Sequence, residues 1–179
     1  MTPRRDDRRR QILDAAFAVF IQYGYAKTTF DDVARKAEVS RSLLYAYFKD
    51  KEDLFLSAVR DCLAEQRRQS DEVLAGAGSR EQKVLRLLEI WCVDLYAEAL
   101  SSPHGGELIA EGTRAWDLVG VKYRDYLIRE LGRLIGDEEA AELMVLSVRG
   151  LQHDHPSLPR LRRRVHLLAE LCGRPRRKP

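Results

Sequence analysis

The residues best suited to chemistry cluster on one short stretch. Read as a helix, residues 41–48 turn Leu44 and Phe48, four positions apart, inward. Arg41, Ser42, Tyr45 and Tyr47 then share the opposite face. A cation, a hydroxyl and phenols on one exposed face suit hydrogen bonds to phosphate oxygens and base edges. Tyr45 and Tyr47 also suit a plainer role as surface aromatics covering Phe48. The other cluster with ligand chemistry is His153-Asp154-His155, just before Pro156. That setting is a loop, and further metal ligands are not evident, so a hinge loop is the simpler reading. His104 beside Gly105-Gly106 reads as part of a turn. No glycine-rich phosphate loop, G-x-S-x-G elbow or H-E-x-x-H motif occurs. We therefore expect no catalytic residue, no metal site, no cofactor and no enzymatic activity.

The elements that must position residues 41–48 are helices. Ile12, Ala16, Phe20 and Tyr23 recur at three- and four-residue steps over about Arg8 to Tyr23, and Gly24 supplies a left-handed stop. Thr29 with Asp32 three residues on reads as a capping box that opens a short helix closing near Ala37. Ser40 caps the next helix, and Asp50 with Asp53 opens a long one. Two helices of about two turns each cannot bury a core alone. Packed on their longer neighbours, they leave the second helix protruding, the geometry for entering a major groove about 12 Å wide.

Further along, Ala75-Gly76-Ala77-Gly78 marks a boundary, and Ser79 with Gln82 opens a helix running to about Leu100. After Ser101 to Gly106 a helical stretch covers Glu107 to Ile135, with a split expected near Gly112. Gly136-Asp137 separates it from a helix over Glu138–Gln152, and the last helix covers about Arg160 to Cys172. The fold expected is all-α.

Composition agrees. The chain has 179 residues and a mass of 20.6 kDa, 45% hydrophobic and 33% charged, enough apolar material for a real core. Eleven Gly and six Pro provide too few turns for an all-β sandwich. No apolar run reaches spanning length, so no membrane partner is expected. Met1 to Asp7 lacks the apolar core of a secretion signal. Cys62, Cys92 and Cys172 lie far apart without a C-x-x-C pair, which reads as reduced thiols in a cytoplasmic protein. Charge is segregated: +3 over residues 1–50, −7 over 51–148 and +7 over 149–179. Polyanion contact therefore belongs to the ends. One alternative function follows, a nonspecific nucleic-acid binder working through Arg174, Arg176, Arg177 and Lys178. A second is a chain that keeps this fold but uses it for protein contacts.

Residues 8–55 carry a dense pattern. It reads Gly24-Tyr25, Thr28-Thr29-Phe30-Asp31-Asp32-Val33-Ala34, Ala37-Glu38-Val39-Ser40-Arg41, Leu44-Tyr45-Ala46-Tyr47-Phe48-Lys49-Asp50-Lys51-Glu52 and Leu54-Phe55. This resembles the DNA-binding domain of the TetR family of transcriptional regulators. The resemblance implies an N-terminal three-helix helix-turn-helix domain over 1–50. It implies a helical ligand-binding and dimerisation domain over 51–179, with 51–74 as connector and about nine helices in all. It places Thr28 and Thr29 on phosphate and Ser40, Arg41, Ser42, Tyr45 and Tyr47 on the recognition helix. Arg41 becomes the candidate reader of guanine, Leu43 a contact for a thymine methyl, and Lys51 a grip on the backbone. Lys51 also suits a plainly solvated role. Glu38 departs from the family, many of whose members carry Gly in that turn.

The resemblance further implies a homodimeric, ligand-responsive regulator that acts as a repressor on a palindromic double-stranded operator. Trp91, Glu98, Trp116 and Tyr123 are candidates for a small-molecule effector pocket. Trp116 and Tyr123 also suit plain core packing, and Glu98 a position emerging near its helix end. Met144, Val148, Leu151, Leu161, Val165 and Leu168 are candidates for a dimer interface built from the last two helices.

Overall fold

The computed structural model describes residues 5–172, so Arg174, Arg176, Arg177 and Lys178 lie outside the described residues. Within them the chain is all-α, as expected. Its elements are α1 (Arg5–Lys27), α2 (Phe30–Lys36), α3 (Arg41–Tyr47), α4 (Lys51–Ala75), α5 (Arg80–Glu89), a π-helical turn (Ile90–Asp94) and α6 (Leu95–Leu100). There follow α7 (Gly105–Val119), α8 (Val121–Ile135), α9 (Glu138–Gln152) and α10 (Leu158–Cys172). With α5, the π turn and α6 taken as one continuous rod, the described residues form nine helical rods.

Local chemistry sets the boundaries. Gly24 sits at φ 77°, a break that leaves one further turn before α1 ends at Lys27. Thr29 caps α2 in a reciprocal box with Asp32. The α2 exit is a Schellman turn: the Val39 amide donates to Ala34 O at 3.0 Å and the Glu38 amide to Arg35 O at 3.3 Å. That turn requires a left-handed residue, and Glu38 occupies it at φ 53°. Ser40 then caps α3 by accepting from the Leu43 amide, and Asp50 caps α4 by accepting from the Asp53 amide at 2.8 Å. Ser79 with Gln82 and Asp137 with the Ala140 amide cap α5 and α9 in the same way.

One expected boundary moves. The split anticipated near Gly112 falls at Gly120 instead. Gly112 is an ordinary helical residue with open space where a Cβ would project. At Gly120 a Cβ would lie 2.6 Å from the Trp116 carbonyl oxygen and 2.7 Å from the Trp116 ring, so only glycine fits the close turn between α7 and α8.

The chain forms two compact units. The first comprises the chain up to Leu63 together with Glu98–Gly120. It therefore contains α1, α2, α3, the first half of α4 and all of α7. Its core is Ile12, Ala16, Phe20, Val33, Leu44, Phe48, Leu54 and Phe55, joined by Leu108 and Ala115 from α7. Phe20, Tyr25 and Phe55 pack edge-on at centroid distances of 4.9–5.0 Å where Phe55 meets the other two rings. The second unit comprises Ala64–Ala97 and the chain from Val121 onward. In it α8 packs on α9, and α10 packs on both α5 and α9. Leu87, Leu88, Ile90, Leu127, Leu131, Met144, Leu161 and Val165 make its core. The wide π turn is held by two glutamine amides: Gln66 donates to Ile90 O at 2.8 Å and Gln152 to Cys92 O at 2.6 Å.

Candidate nucleic-acid interface

α3 is seated by its apolar side. Leu44 is 0% exposed and Phe48 1%, which fixes the roll of the helix. Arg41, Ser42 and Tyr45 consequently face outward, with Leu43 and Tyr47 half-buried at the edges. The outer face is already ordered. The Ser40 hydroxyl caps the helix and lies 3.0 Å from the Ser42 hydroxyl. The Arg41 guanidinium donates from Nη1 to Asp31 Oδ2 at 3.2 Å and from Nη2 to the Tyr45 hydroxyl at 3.4 Å. It also lies 5.7 Å from the Tyr45 ring centre, and that ring packs 4.6 Å from Phe30. The Tyr45 hydroxyl and the Asp31 carboxylate together raise the Arg41 pKa further, so the guanidinium stays charged.

The three remaining candidates in this region are turned to structural work. Thr28 is 2% exposed and its hydroxyl donates to Gly24 O at 2.6 Å, so that hydroxyl clasps the α1 break rather than facing a phosphate. The Thr29 hydroxyl donates to Asp32 Oδ2 at 2.6 Å while accepting from the Asp32 amide, which lowers the Asp32 pKa. Lys51 points at the last turn of α1: its ammonium donates to Tyr25 O and Ala26 O, both at 3.0 Å, and lies 4.8 Å over the Tyr25 ring. A cation on terminal helix carbonyls completes a helix end. The expected backbone grip is in this structure an internal clamp.

Three residues beyond the sequence reading join the face. Asp31 is the carboxylate on Arg41. Arg5 lies 5.9 Å from the Tyr47 ring, whose hydroxyl donates to Arg5 O, and Arg9 lies 5.5 Å from the Phe48 ring. The run of arginines before Gln11 is the sequence signal for Arg5 and Arg9, visible only as net charge, whereas Asp31 stands in the quoted pattern without a role of its own. Segment 98–120 also braces this unit. Ser102 donates its hydroxyl to Ile21 O, the Ala26 amide donates to Glu107 at 2.6 Å, and Arg114 bridges Glu52 at 2.8 Å and Glu111 at 2.9 Å.

The four pocket candidates divide between the units. Trp91 and Tyr123 belong to the second, both buried, with ring centres 6.2 Å apart. Trp91 Nε1 donates to the Ser70 hydroxyl at 2.9 Å, and the Tyr126 hydroxyl donates to Asp71 at 2.6 Å. Glu98 and Trp116 belong to the first. Glu98 is an exposed residue, although partial burial of its carboxyl raises its pKa.

Of the six interface candidates, Met144, Leu161 and Val165 are each 0% exposed. They have no surface left to offer a second copy. Val148, Leu151 and Leu168 are half-buried. The exposed apolar side chains on α9 and α10 are Leu143 (52%), Leu146 (56%), Leu167 (54%) and Leu171 (70%). Between the two helices His153-Asp154-His155 forms a loop. Arg164 donates to both Asp154 oxygens, holding that carboxyl down at about 2.

A short exposed helix, seated by a capped partner across a left-handed turn, defines a helix-turn-helix protein. The sequence pattern of the bacterial regulatory proteins of the tetR family matches residues 12–58, which cover α2, α3 and most of α1. YhgD of Bacillus subtilis (strain 168), described as an uncharacterized HTH-type transcriptional regulator, is 38% identical over 82 residues, 46% of this chain and 43% of its own. HbdR of Aromatoleum sp. (strain CIB), an HTH-type transcriptional regulator, is 41% identical over 58 residues, 25% of its length. The matches thus span less than half of either relative. BetI of Agrobacterium fabrum, another HTH-type regulator, is 27% identical over 150 residues, 76% of this chain and 69% of its own. A transcriptional regulator from Cytophaga hutchinsonii superposes with a TM-score of 0.74 over 92% of this chain and 95% of its own. At 16% identity it speaks for the fold alone. Residues 12–58 thus carry a helix-turn-helix domain of the tetR family type, and the chain as a whole shares the fold of a solved transcriptional regulator.

Proposed function

We propose that this chain is a sequence-specific DNA-binding regulator, a homodimeric repressor that reads a palindromic operator through α3 and releases it on binding a small molecule. The observation that carries the reading is the α3 face. Leu44 and Phe48 are sunk in the core, so Arg41, Ser42 and Tyr45 are presented outward on a fixed backbone. Arg41 reads guanine, Ser40, Ser42 and Tyr47 meet phosphate and base edges, and Leu43 meets a thymine methyl. Arg5 and Arg9, at the start of α1, add positive charge beside them.

Two copies join through Leu143, Leu146, Leu167 and Leu171, whose exposure is unusual for leucine on a packed helix pair. A pair of reading helices then addresses half-sites about 34–36 Å apart. Effector binding is assigned to the second unit near Trp91 and Tyr123, where buried rings carry polar handles. The chain crosses between its two units within α4, within α6 and at Gly120. Those crossings are the covalent routes by which an effector reaches α3. By linkage, operator weakens effector binding by the factor that effector weakens operator binding. A regulator of this kind works where its operator DNA is, in the cytoplasm. Among the described residues no helix is long and apolar enough to cross a membrane.

Retention on sheared genomic DNA at about 0.15 M salt tests the reading, because screening suppresses purely electrostatic binding. The native chain is retained, and a variant carrying Arg41→Ala, Ser42→Ala and Tyr45→Ala is lost from the DNA while keeping native helicity by circular dichroism. Equal retention of the folded variant moves the interface away from α3 and favours the nonspecific reading.

A further inference from the structure

We propose that Asp31 is a specificity-determining positioning residue, holding Arg41 in the orientation from which it reads its base. This rests on the DNA-reading function above and names a residue of the same site. Arg41 is the first residue of α3, where the positive end of the helix dipole disfavours a cation, and α3 carries no acid of its own. The compensating carboxylate comes from the first turn of α2, with Asp31 Oδ2 3.2 Å from Arg41 Nη1. On the other side the Tyr45 hydroxyl lies 3.4 Å from Nη2, and Tyr45 is itself packed 4.6 Å from the buried Phe30. The guanidinium is therefore held at two nitrogens and over a ring, on a base that cannot roll.

The nearby acid Asp32 cannot substitute, because it is engaged with Thr29 and lies 3.7 Å from Arg35. A guanidinium has five N–H donors in a rigid fork, so contacts to Asp31 and Tyr45 leave donors for a bidentate meeting with guanine O6 and N7. Ordering the side chain beforehand spares rotamer entropy when the correct base is met. The same carboxylate repels phosphates, which penalises contacts made to the DNA backbone alone. Side-chain exposures of 59% and 54% mean the pair contributes little to stability, so its removal leaves the fold intact.

The test uses a duplex selected from a random pool by the native chain. Affinities are measured for that duplex, for each single-base-pair variant of it and for unselected duplex of equal length. Arg41→Ala identifies the base pair that Arg41 reads. Asp31→Asn is expected to lose about tenfold in discrimination at that same pair and to bind unselected duplex several-fold tighter. Asp31→Glu regains most of the lost discrimination. An equal shift of Asp31→Asn on every sequence, no shift, or a loss at a different base pair overturns the inference and leaves the DNA-reading function standing. A native chain that selects no motif overturns both.

Discussion

Thr28 and Lys51 carry the hydroxyl and the ammonium that a phosphate contact asks for, yet both are engaged within the protein. Thr28 closes on the Gly24 carbonyl, and Lys51 closes on two carbonyls at the end of α1. Residue type alone does not separate a side chain that meets DNA from one that holds the element meeting it. Lys51→Ala is accordingly expected to lower the chain's stability by about 1 kcal/mol, read as a fall in the thermal midpoint. An unchanged midpoint with evenly weakened DNA binding restores the phosphate role. Asp154 gives a pH prediction. Its carboxyl titrates near 2 in the folded chain, against an ordinary value of 3.8, because Arg164 and Arg160 favour the charged form. A depressed carboxylate contributes stability at pH above its unfolded value, and that contribution is lost as pH falls through the folded one. Between about pH 4 and pH 2 the native chain should therefore lose stability faster than Asp154→Asn. Parallel acid-unfolding curves contradict this.

The helices were legible wherever their ends are made by residues close in sequence. Thr29 with Asp32, Ser40, Asp50, Ser79 with Gln82, and Asp137 each cap the helix expected of them. Gly112 and Gly120 were not separable in sequence, because what distinguishes them is the packing of the Trp116 ring and carbonyl around one of them. The consequence can be measured. Gly112→Ala should stabilise by about 0.5–1 kcal/mol, since the site is helical and open, whereas Gly120→Ala should destabilise. Glu38→Gly should be neutral or stabilising by up to about 1 kcal/mol, relieving a left-handed residue. Chemical denaturation midpoints of the three variants decide these signs. The role of α7 was equally hidden. Leu108 and Ala115 enter the core under α1, a tertiary fact that no periodicity in residues 98–120 announces. Sequence alone did not rank the apolar sides of α9 and α10, because each helix has more than one: Met144, Leu161 and Val165 are buried, while Leu143, Leu146, Leu167 and Leu171 are exposed.

At the scale of the whole molecule those outward leucines are the proposed contact between two copies. Leu143→Glu combined with Leu167→Glu is expected to give a monomer by sedimentation velocity, with the helical content of each chain retained. A variant that remains dimeric places the contact elsewhere. Two protomers are what make a symmetric operator readable, so the DNA itself reports most directly on the proposed dimeric reader. The decisive measurement is selection of bound duplexes from a random pool by the native chain at about 0.15 M salt. An inverted repeat is expected, with half-sites centred about one helical turn, or a multiple of it, apart. Recovery of no motif, with binding that fades steadily as salt rises, would contradict it and leave α3 as scaffold.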